Sequence, residues 1–355
     1  GRSMGDVSSF DVAKPQLDEG SQQSALAQCF ARHRRIGDDV FWLKENAEFL
    51  NVHETSGKRL TAQALSAYEV FYHDVENRLR FFPQYYRFLL SITLDLEALG
   101  FEGEKGPALC AWTHEAQLVD AELSDLQRAE AARLLARGGI GEMKLDEALS
   151  ARLRRFISHS ATFSLPNKKA AYELTHIVFY LSDYGRRDPD IGAEAVRSLM
   201  FAGTLALIDE NADLLAEVCL ALRAARQTVP EMWEDWVHAV SAQFQVIAET
   251  SPPIDDYHEY LTCNWLAMAT GRDSFVQDLS PERMLFRKSR GHRGVLRALS
   301  EHLYHLADRR VEDWATMRRE LEGQLAHEAY AHLLSAEAAY PEFGQFFAHF
   351  ARAGS

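Results

Sequence analysis

Helical periodicity runs through nearly the whole chain and limits the fold to a packing of helices. Pro230, Pro281 and Pro341 each stand where a helix is predicted to begin, and convincing strand alternation is absent. The predicted connections are short and carry Gly, Pro, Asn or Asp, which is typical of antiparallel helix pairs. We therefore predict an all-α fold of antiparallel helix pairs, as an α/α barrel or a curved helical-repeat array.

The predicted helices include residues 61–81, 231–249, 281–308 and 311–338. The glycine-rich segment from Gly138 to Gly141 is the one plausible domain boundary. We expect a disordered tail over 1–20, an N-terminal helical subdomain over 21–137 and a helical-pair domain over 142–355 that carries the functional site.

The net charge of the 355-residue chain is −14, which argues against a general nucleic-acid binder. No window approaches the roughly 20 apolar residues of a membrane span, and the start does not resemble a signal peptide. The four cysteines are scattered without CxxC spacing, so we expect buried thiols in a reducing cytoplasm. The predicted partner is a small molecule or peptide substrate, with no nucleic acid and no membrane.

The segment from Lys169 to Gly185 predicts a helix that is buried on all sides. No cation occurs from position 170 to position 185, and both faces carry apolar or aromatic residues. We therefore expect Glu173, His176 and Asp183 to be buried. Buried ionisable groups need partners or a metal ion, so this segment is the best functional lead in the chain.

A regular spacing links this helix to two later ones. His176, Glu217 and His258 follow one another at intervals of forty-one residues, and each lies in a predicted helix poor in Lys and Arg. A period near forty is the length of a two-helix repeat. The spacing predicts that these helices form an inner layer whose side chains face a common cavity.

Two imidazoles and one carboxylate suit Zn²⁺, or Fe²⁺ in a non-haem site with open positions. His176, Glu217 and His258 are therefore the predicted metal ligands. Glu173, Tyr180 and Asp183 are the predicted catalytic residues, because a carboxylate on this face can orient a ligand or move a proton. Aromatic neighbours would exclude water and hold a largely apolar ligand.

Simpler interpretations stay open for the same residues. His176 can be a core histidine that hydrogen-bonds a neighbouring carboxylate. Asp183 can cap the turn at Tyr184 or pair with Arg186 or Arg187. The segment from Asp255 to Glu259 has the DDxxE spelling of the magnesium-binding segment in class I terpene synthases, but the second metal-binding helix of those enzymes is missing.

The segment from Tyr172 to Gly185 resembles the signature T-H-x-x-F-Y-x-[ST]-D-[FY]-G of an uncharacterised bacterial all-helical family. The resemblance extends over residues 169–270 and includes Asp213-Leu214-Leu215-Ala216-Glu217 and Tyr257-His258. Proteins of this kind accompany natural-product pathways, so the resemblance implies a role in biosynthesis.

We expect a metal-dependent enzyme, with Zn²⁺ or Fe²⁺, that acts on a small, partly apolar metabolite or a modified peptide. The first alternative is a non-catalytic helical-repeat protein that binds a peptide or partner. The second alternative is a terpene-synthase-like enzyme that binds a diphosphate through Mg²⁺.

Overall fold

The computed structural model describes residues 18–36, 39–289 and 293–352, and within them it is built almost entirely of helices. The all-α prediction is therefore confirmed. Seventeen α-helices lie in the described part of the chain: α1 Glu19–Gln28, α2 Val40–Thr55, α3 Ala62–Ser66, α4 Glu69–Phe81, α5 Tyr86–Leu99, α6 Gly106–Glu115, α7 Asp125–Arg137, α8 Glu147–Ile157, α9 Lys168–Leu181, α10 Ala193–Ile208, α11 Ala212–Ala224, α12 Glu231–Ala242, α13 Tyr257–Ala269, α14 Val295–Leu306, α15 Trp314–Leu321, α16 His327–Ala339 and α17 Phe343–Ala351.

Two short strands interrupt the helices at positions predicted to be helical. Strand β1 (Gln245–Ala248) pairs antiparallel with β2 (Met284–Arg287). The predicted helices over 231–249 and 281–308 are therefore wrong in part. The side chain of Phe286 explains the second strand, because it is fully buried and stacks on Phe30 and Tyr260 at centroid distances of 5.5 and 4.6 Å. Tertiary packing here overrides a local preference for helix.

Two further predicted helices are each divided into two. Residues 61–81 form α3 and α4, separated at Ala67 and Tyr68. Tyr68 is fully buried and its hydroxyl donates to Asn46 Oδ1 at 2.7 Å, which holds the break in place. Residues 311–338 form α15 and α16 around a turn that contains Gly323, a residue that disfavours helix.

The predicted tail over 1–20 falls mostly on residues 1–17, which lie outside the described residues. Asp18 caps α1 by accepting a hydrogen bond from the Ser21 amide at 2.7 Å, so the ordered helix begins at Glu19. None of the described helices is long and apolar enough to cross a membrane.

Two hydrophobic cores hold the described helices together. The first core is built mainly by residues 25–135, and the second mainly by residues 145–351. Their division does not follow the chain strictly, because Tyr260 of α13 and Phe286 of β2 belong to the first core. The predicted domain boundary near Gly138 is not tested by this arrangement and stays a prediction.

Six helices from both halves of the chain form a closed ring. Each of α2, α5, α7, α9, α11 and α13 contacts the next, and α13 returns to contact α2. Helices α10 and α12 pack against α11 from outside the ring. Three ring helices come from the first half of the chain and three from the second half, so the space that they enclose lies where the two halves meet.

Candidate functional site

The ring encloses an open cavity of about 220 Å³, which we call the ring cavity. All six ring helices contribute to its wall. Its polar and aromatic lining residues are Lys44, Glu48, Asn51, Phe88, Ser91, Glu130, Arg133, His176, Phe179, Tyr180, Tyr184, Glu217, His258, Thr262 and Trp265. Four other pockets among the described residues are larger, at about 460, 540, 360 and 400 Å³. One of them is lined by His258, but none is lined by His176 and Glu217. Chemistry rather than size therefore selects the ring cavity as the candidate site.

His176 projects from α9 with its tautomer fixed by the backbone. Its Nδ1 atom lies 2.7 Å from the carbonyl oxygen of Tyr172. A carbonyl oxygen only accepts hydrogen bonds, so Nδ1 carries the proton and Nε2 carries the lone pair. Nε2 lies 3.8 Å from Glu217 Oε1, and a third of the His176 side chain is exposed. Burial lowers the pKa of His176, with a further contribution from the nearby His258, which favours the neutral ring.

Glu217 approaches His176 from α11 and is almost completely buried. Its side chain is 4% exposed, and its Oε2 atom has no hydrogen-bond partner among the described residues. Burial, followed by the negative charge of Asp213, raises the pKa of Glu217 well above its usual value. The pair therefore combines an imidazole that can accept a proton with a carboxyl group that can donate one.

His258 lies between two carboxylates on the same side of the cavity. Its Nδ1 contacts Glu48 Oε1, and its Nε2 lies 3.1 Å from Asp213 Oδ1. Burial alone would lower the pKa of His258, but Glu48 and Asp213 outweigh this effect and raise it to about 12. His258 is therefore a cation at neutral pH, unlike His176.

Tyr172 connects the two histidines. Its backbone carbonyl holds His176, while its hydroxyl donates to Asp213 Oδ2 at 2.7 Å. Burial would raise the pKa of Asp213, but hydrogen bonds from His258 and Tyr172 lower it overall. One residue of α9 thus positions both the neutral imidazole and the carboxylate that keeps His258 charged.

An aromatic layer separates these groups from the opposite side of the cavity. The ring of His176 lies 5.7 Å from Phe179 and 6.1 Å from Tyr180. Phe179 stacks on Tyr184 at 5.2 Å, and Trp265 packs against Phe179 at the same distance. Such a layer suits an apolar portion of a bound molecule.

Arg133 lies beyond this layer. Its guanidinium carbon is 4.5 Å from the centroid of the Tyr184 ring, and its Nε donates to Asp183 Oδ1 at 2.8 Å. Asp183, Tyr184 and Gly185 have φ angles of +47°, +53° and +88°. Two successive non-glycine residues in this region are strained, which is often a property of functional sites.

The structure brings some of the predicted site residues together and leaves others apart. His176, Tyr180, Glu217 and His258 all line the ring cavity. Glu173 does not line it, and Asp183 lies behind Arg133. The prediction that Glu173, His176 and Asp183 are buried is wrong, since all three are half-buried. His176 borders an open cavity rather than a sealed core, which accounts for its exposure.

The site also contains residues that the sequence did not indicate. Glu48 and Arg133 lie on α2 and α7, whose exposed faces carry the ordinary mixture of charges. Nothing in their local pattern separates them from surface residues. The relevant signal is that Glu48 contacts His258 across 210 positions of the chain, and only the fold shows this.

The predicted metal ligands do not form a ready-made coordination site. No group of three His, Cys, Asp or Glu side chains in residues 18–36, 39–289 and 293–352 is placed to hold a metal ion. Both ring nitrogens of His258 face carboxylates, so the ring has no free nitrogen to offer.

The DDxxE segment serves the fold in large part. The side chain of Asp255 is completely buried and accepts hydrogen bonds from both terminal nitrogens of Arg34, at 2.7 and 2.9 Å. Asp256 accepts a hydrogen bond from the Lys288 amide at 3.0 Å, and Glu259 lies 3.3 Å from Lys288 Nζ. The first carboxylate of the segment therefore has no free oxygen edge for a magnesium ion.

The fold and the site define the class of protein: it is an all-α protein with a polar cavity inside a ring of helices. Residues 4–353 match the family model described as "Domain of unknown function (DUF6902)". The chain belongs to this family, in agreement with the expectation of an uncharacterised family. No curated protein and no solved structure matches the chain significantly.

Proposed function

We propose that the chain is an enzyme that transfers protons on a small, partly apolar molecule bound in the ring cavity. His176 is the base and Glu217 is the acid. The observation that supports this proposal is the hydrogen bond from His176 Nδ1 to the Tyr172 carbonyl, because it leaves the Nε2 lone pair 3.8 Å from Glu217. General acid–base catalysis of this kind contributes about 10²–10⁴-fold to a rate.

In the proposed reaction, Nε2 of His176 takes a proton from the substrate and becomes an imidazolium. Glu217 gives its own proton to another atom of the substrate, and the two groups later exchange protons with solvent. Tyr180, Phe179 and Trp265 exclude water around the reacting atoms, which strengthens the electrostatic interactions there. Biosynthesis of a natural product, implied by the sequence resemblance, is the proposed setting.

The test is a turnover screen of small metabolites by mass spectrometry, comparing wild type with His176→Gln and Glu217→Gln. His114→Gln is the matched control, because His114 is exposed on α6 and does not line the cavity. We expect turnover to fall by about 10²-fold or more in the two site variants and to persist in the control. Equal turnover in wild type and His176→Gln would contradict the proposal and favour the non-catalytic binding protein.

A metal-dependent version of the same enzyme is the second candidate. Glu217 Oε2 is a buried oxygen atom without a hydrogen-bond partner among the described residues. Zn²⁺ or Fe²⁺ held by His176, Glu217 and His258 would satisfy this oxygen, provided that His258 gives up one of its carboxylates. Elemental analysis of protein purified without chelator tests this version: stoichiometric metal that is lost in His176→Gln and retained in His114→Gln supports it.

A further inference from the structure

Among the described residues, Arg133 is the arginine that lines the ring cavity, and its contacts there leave most of its hydrogen-bonding capacity unused. A guanidinium has five N–H donors. The hydrogen bond that Arg133 makes within the described chain goes from Nε to Asp183, and Nη2 is buried without an acceptor. The side chain is 5% exposed. Because Arg133 belongs to the lining of the ring cavity, this remaining exposure faces the space that a ligand would occupy.

The position of this guanidinium is fixed from two sides. Asp183 holds Nε at 2.8 Å, and the ring of Tyr184 lies against the guanidinium plane. Both contacts come from the strained turn after α9. An arginine that is fixed before a ligand arrives loses little entropy on binding, which favours recognition of an anion.

We propose that Arg133 binds the carboxylate group of the substrate. This inference rests on the proposed function for its choice of cavity and adds the class of molecule: a small carboxylic acid with an apolar or aromatic body. The carboxylate would lie at Arg133, the body against Phe179, Tyr180 and Tyr184, and the reacting atoms at His176 and Glu217. The ring of Phe179 lies between the two ends of the cavity, 5.7 Å from the ring of His176 and 5.2 Å from that of Tyr184.

The surrounding charges favour a singly charged anion over a dianion. Glu130 also lines the cavity, although Arg87 Nη1 binds it at 2.9 Å. Asp183 already neutralises part of the charge of Arg133. A phosphate dianion would be repelled by these carboxylates, whereas a planar carboxylate matches a single guanidinium edge. Lys44, exposed on α2 and also in the lining, adds a second positive charge.

The experiment uses phenylacetate and phenylacetamide as probes, since they have the same shape and differ in charge. Binding to the full-length wild-type protein is measured by isothermal titration calorimetry. We expect phenylacetate to bind at least about tenfold more tightly, because charge-assisted hydrogen bonds are about twice as strong as neutral ones. Equal binding of the two probes, a preference for the amide, or no binding of phenylacetate at millimolar concentration would overturn the proposal. This comparison uses the wild-type protein alone, so it does not depend on whether a variant folds.

Variants then locate the preference. Arg133→Gln should abolish it and Arg133→Lys should retain part of it, whereas Arg152→Gln, which changes an exposed arginine paired with Asp125, should leave it unchanged. Persistence of the full preference in a folded Arg133→Gln protein would overturn the assignment. If the preference for phenylacetate persists in Arg133→Gln and is lost in Lys44→Gln, the carboxylate is bound by Lys44 instead of Arg133.

The same probes separate this inference from the proposed function. His176→Gln should lose turnover and keep the preference for phenylacetate, because His176 lies at the other end of the cavity. A preference without any effect of His176→Gln on turnover supports the carboxylate site and contradicts the acid–base proposal. If His176→Gln loses turnover but the wild-type protein shows no preference for phenylacetate, the acid–base proposal is supported and the carboxylate site is contradicted.

Discussion

Two buried arginines in this protein have very different surroundings. Arg34 donates to Glu45, Asp255 and the carbonyl of Met284 through all three of its nitrogens, at 2.7–3.3 Å. Phe30, Tyr257 and Phe286 pack around the guanidinium at 5.3–5.4 Å. We call Arg34, Glu45 and Asp255 the Arg34 cluster. Arg133, by contrast, makes one hydrogen bond to the residues that the structure describes and lines the ring cavity.

The comparison teaches how a structural polar cluster differs from a binding site. In the Arg34 cluster every donor of the guanidinium is directed at an acceptor, and no space is left for a ligand. In the ring cavity, Arg133 Nη2 and Glu217 Oε2 lack partners in the described part of the chain, although burial of such atoms is unfavourable. Unused hydrogen-bonding capacity beside an accessible space, rather than burial or charge alone, indicates where a ligand belongs.

The largest expected effect is a loss of stability when the Arg34 cluster is broken. Arg34→Met leaves Glu45 and Asp255 buried without their partner, so the free energy of unfolding should fall by about 3–5 kcal/mol in urea denaturation. Arg152→Met, at an exposed pair, should leave it nearly unchanged. A loss for Arg34→Met as small as that of the control would refute the structural role of the cluster.

Arg133→Met should destabilise the protein by less, about 1–2 kcal/mol, because one hydrogen bond and one cation–π contact are lost. Asp183 would keep a neighbouring cation, since Arg186 Nη1 lies 3.9 Å from its Oδ1. Urea denaturation measures this change in the free energy of unfolding as well. Equal losses for Arg34→Met and Arg133→Met would remove the distinction between the two sites.

The pH dependence of stability should carry a contribution from His176. Its pKa is lowered in the folded state, so the unfolded chain binds a proton more readily. The contribution is fully present above the unfolded pKa of about 6.5 and is lost as pH falls below it, by at most about 1.4 kcal/mol per pH unit. Urea denaturation between pH 7.5 and 5 should show a shallower slope in His176→Gln than in His114→Gln. Identical slopes would mean that His176 titrates normally.

The smallest expected effect is a gain in stability from Glu217→Gln, of roughly 1 kcal/mol or less at neutral pH. The pKa of Glu217 is raised in the folded state, so its carboxyl group costs stability as pH rises above the unfolded value of 4.5. The gain should therefore grow from pH 5 to pH 8. Glu45→Gln, in the Arg34 cluster, should lower the free energy of unfolding instead. If Glu217→Gln lowers it by the same amount, Glu217 is a structural carboxylate.

Much of one side of the site was predictable because it depends on local periodicity. A helix without a cationic face at 170–185 has to be enclosed, and a forty-one-residue interval placed Glu217 and His258 on helices of the same kind. His176, Glu217 and His258 all line one cavity in the structure. The degree of burial was not predictable in this way, since it depends on how far the ring stays open.

The other side of the site depends on contacts between distant segments. Asp183 pairs with Arg133, fifty residues earlier in the chain, and no helical pattern indicates that choice over the adjacent Arg186. The short strands were missed for a related reason: four-residue apolar runs have no distinctive period, and packing of Phe286 in the first core decides their conformation.

The closed ring also has a consequence for synthesis of the protein. His258 meets Glu48 only after 210 further residues have been made. At a ribosomal rate of about 5–20 residues per second, α2 waits roughly 10–40 s for α13 to arrive. During that interval the side of α2 that packs against α13 in the finished protein is uncovered. The nascent first half is therefore a candidate client for chaperones that bind exposed apolar helices, and this need ends when the ring closes.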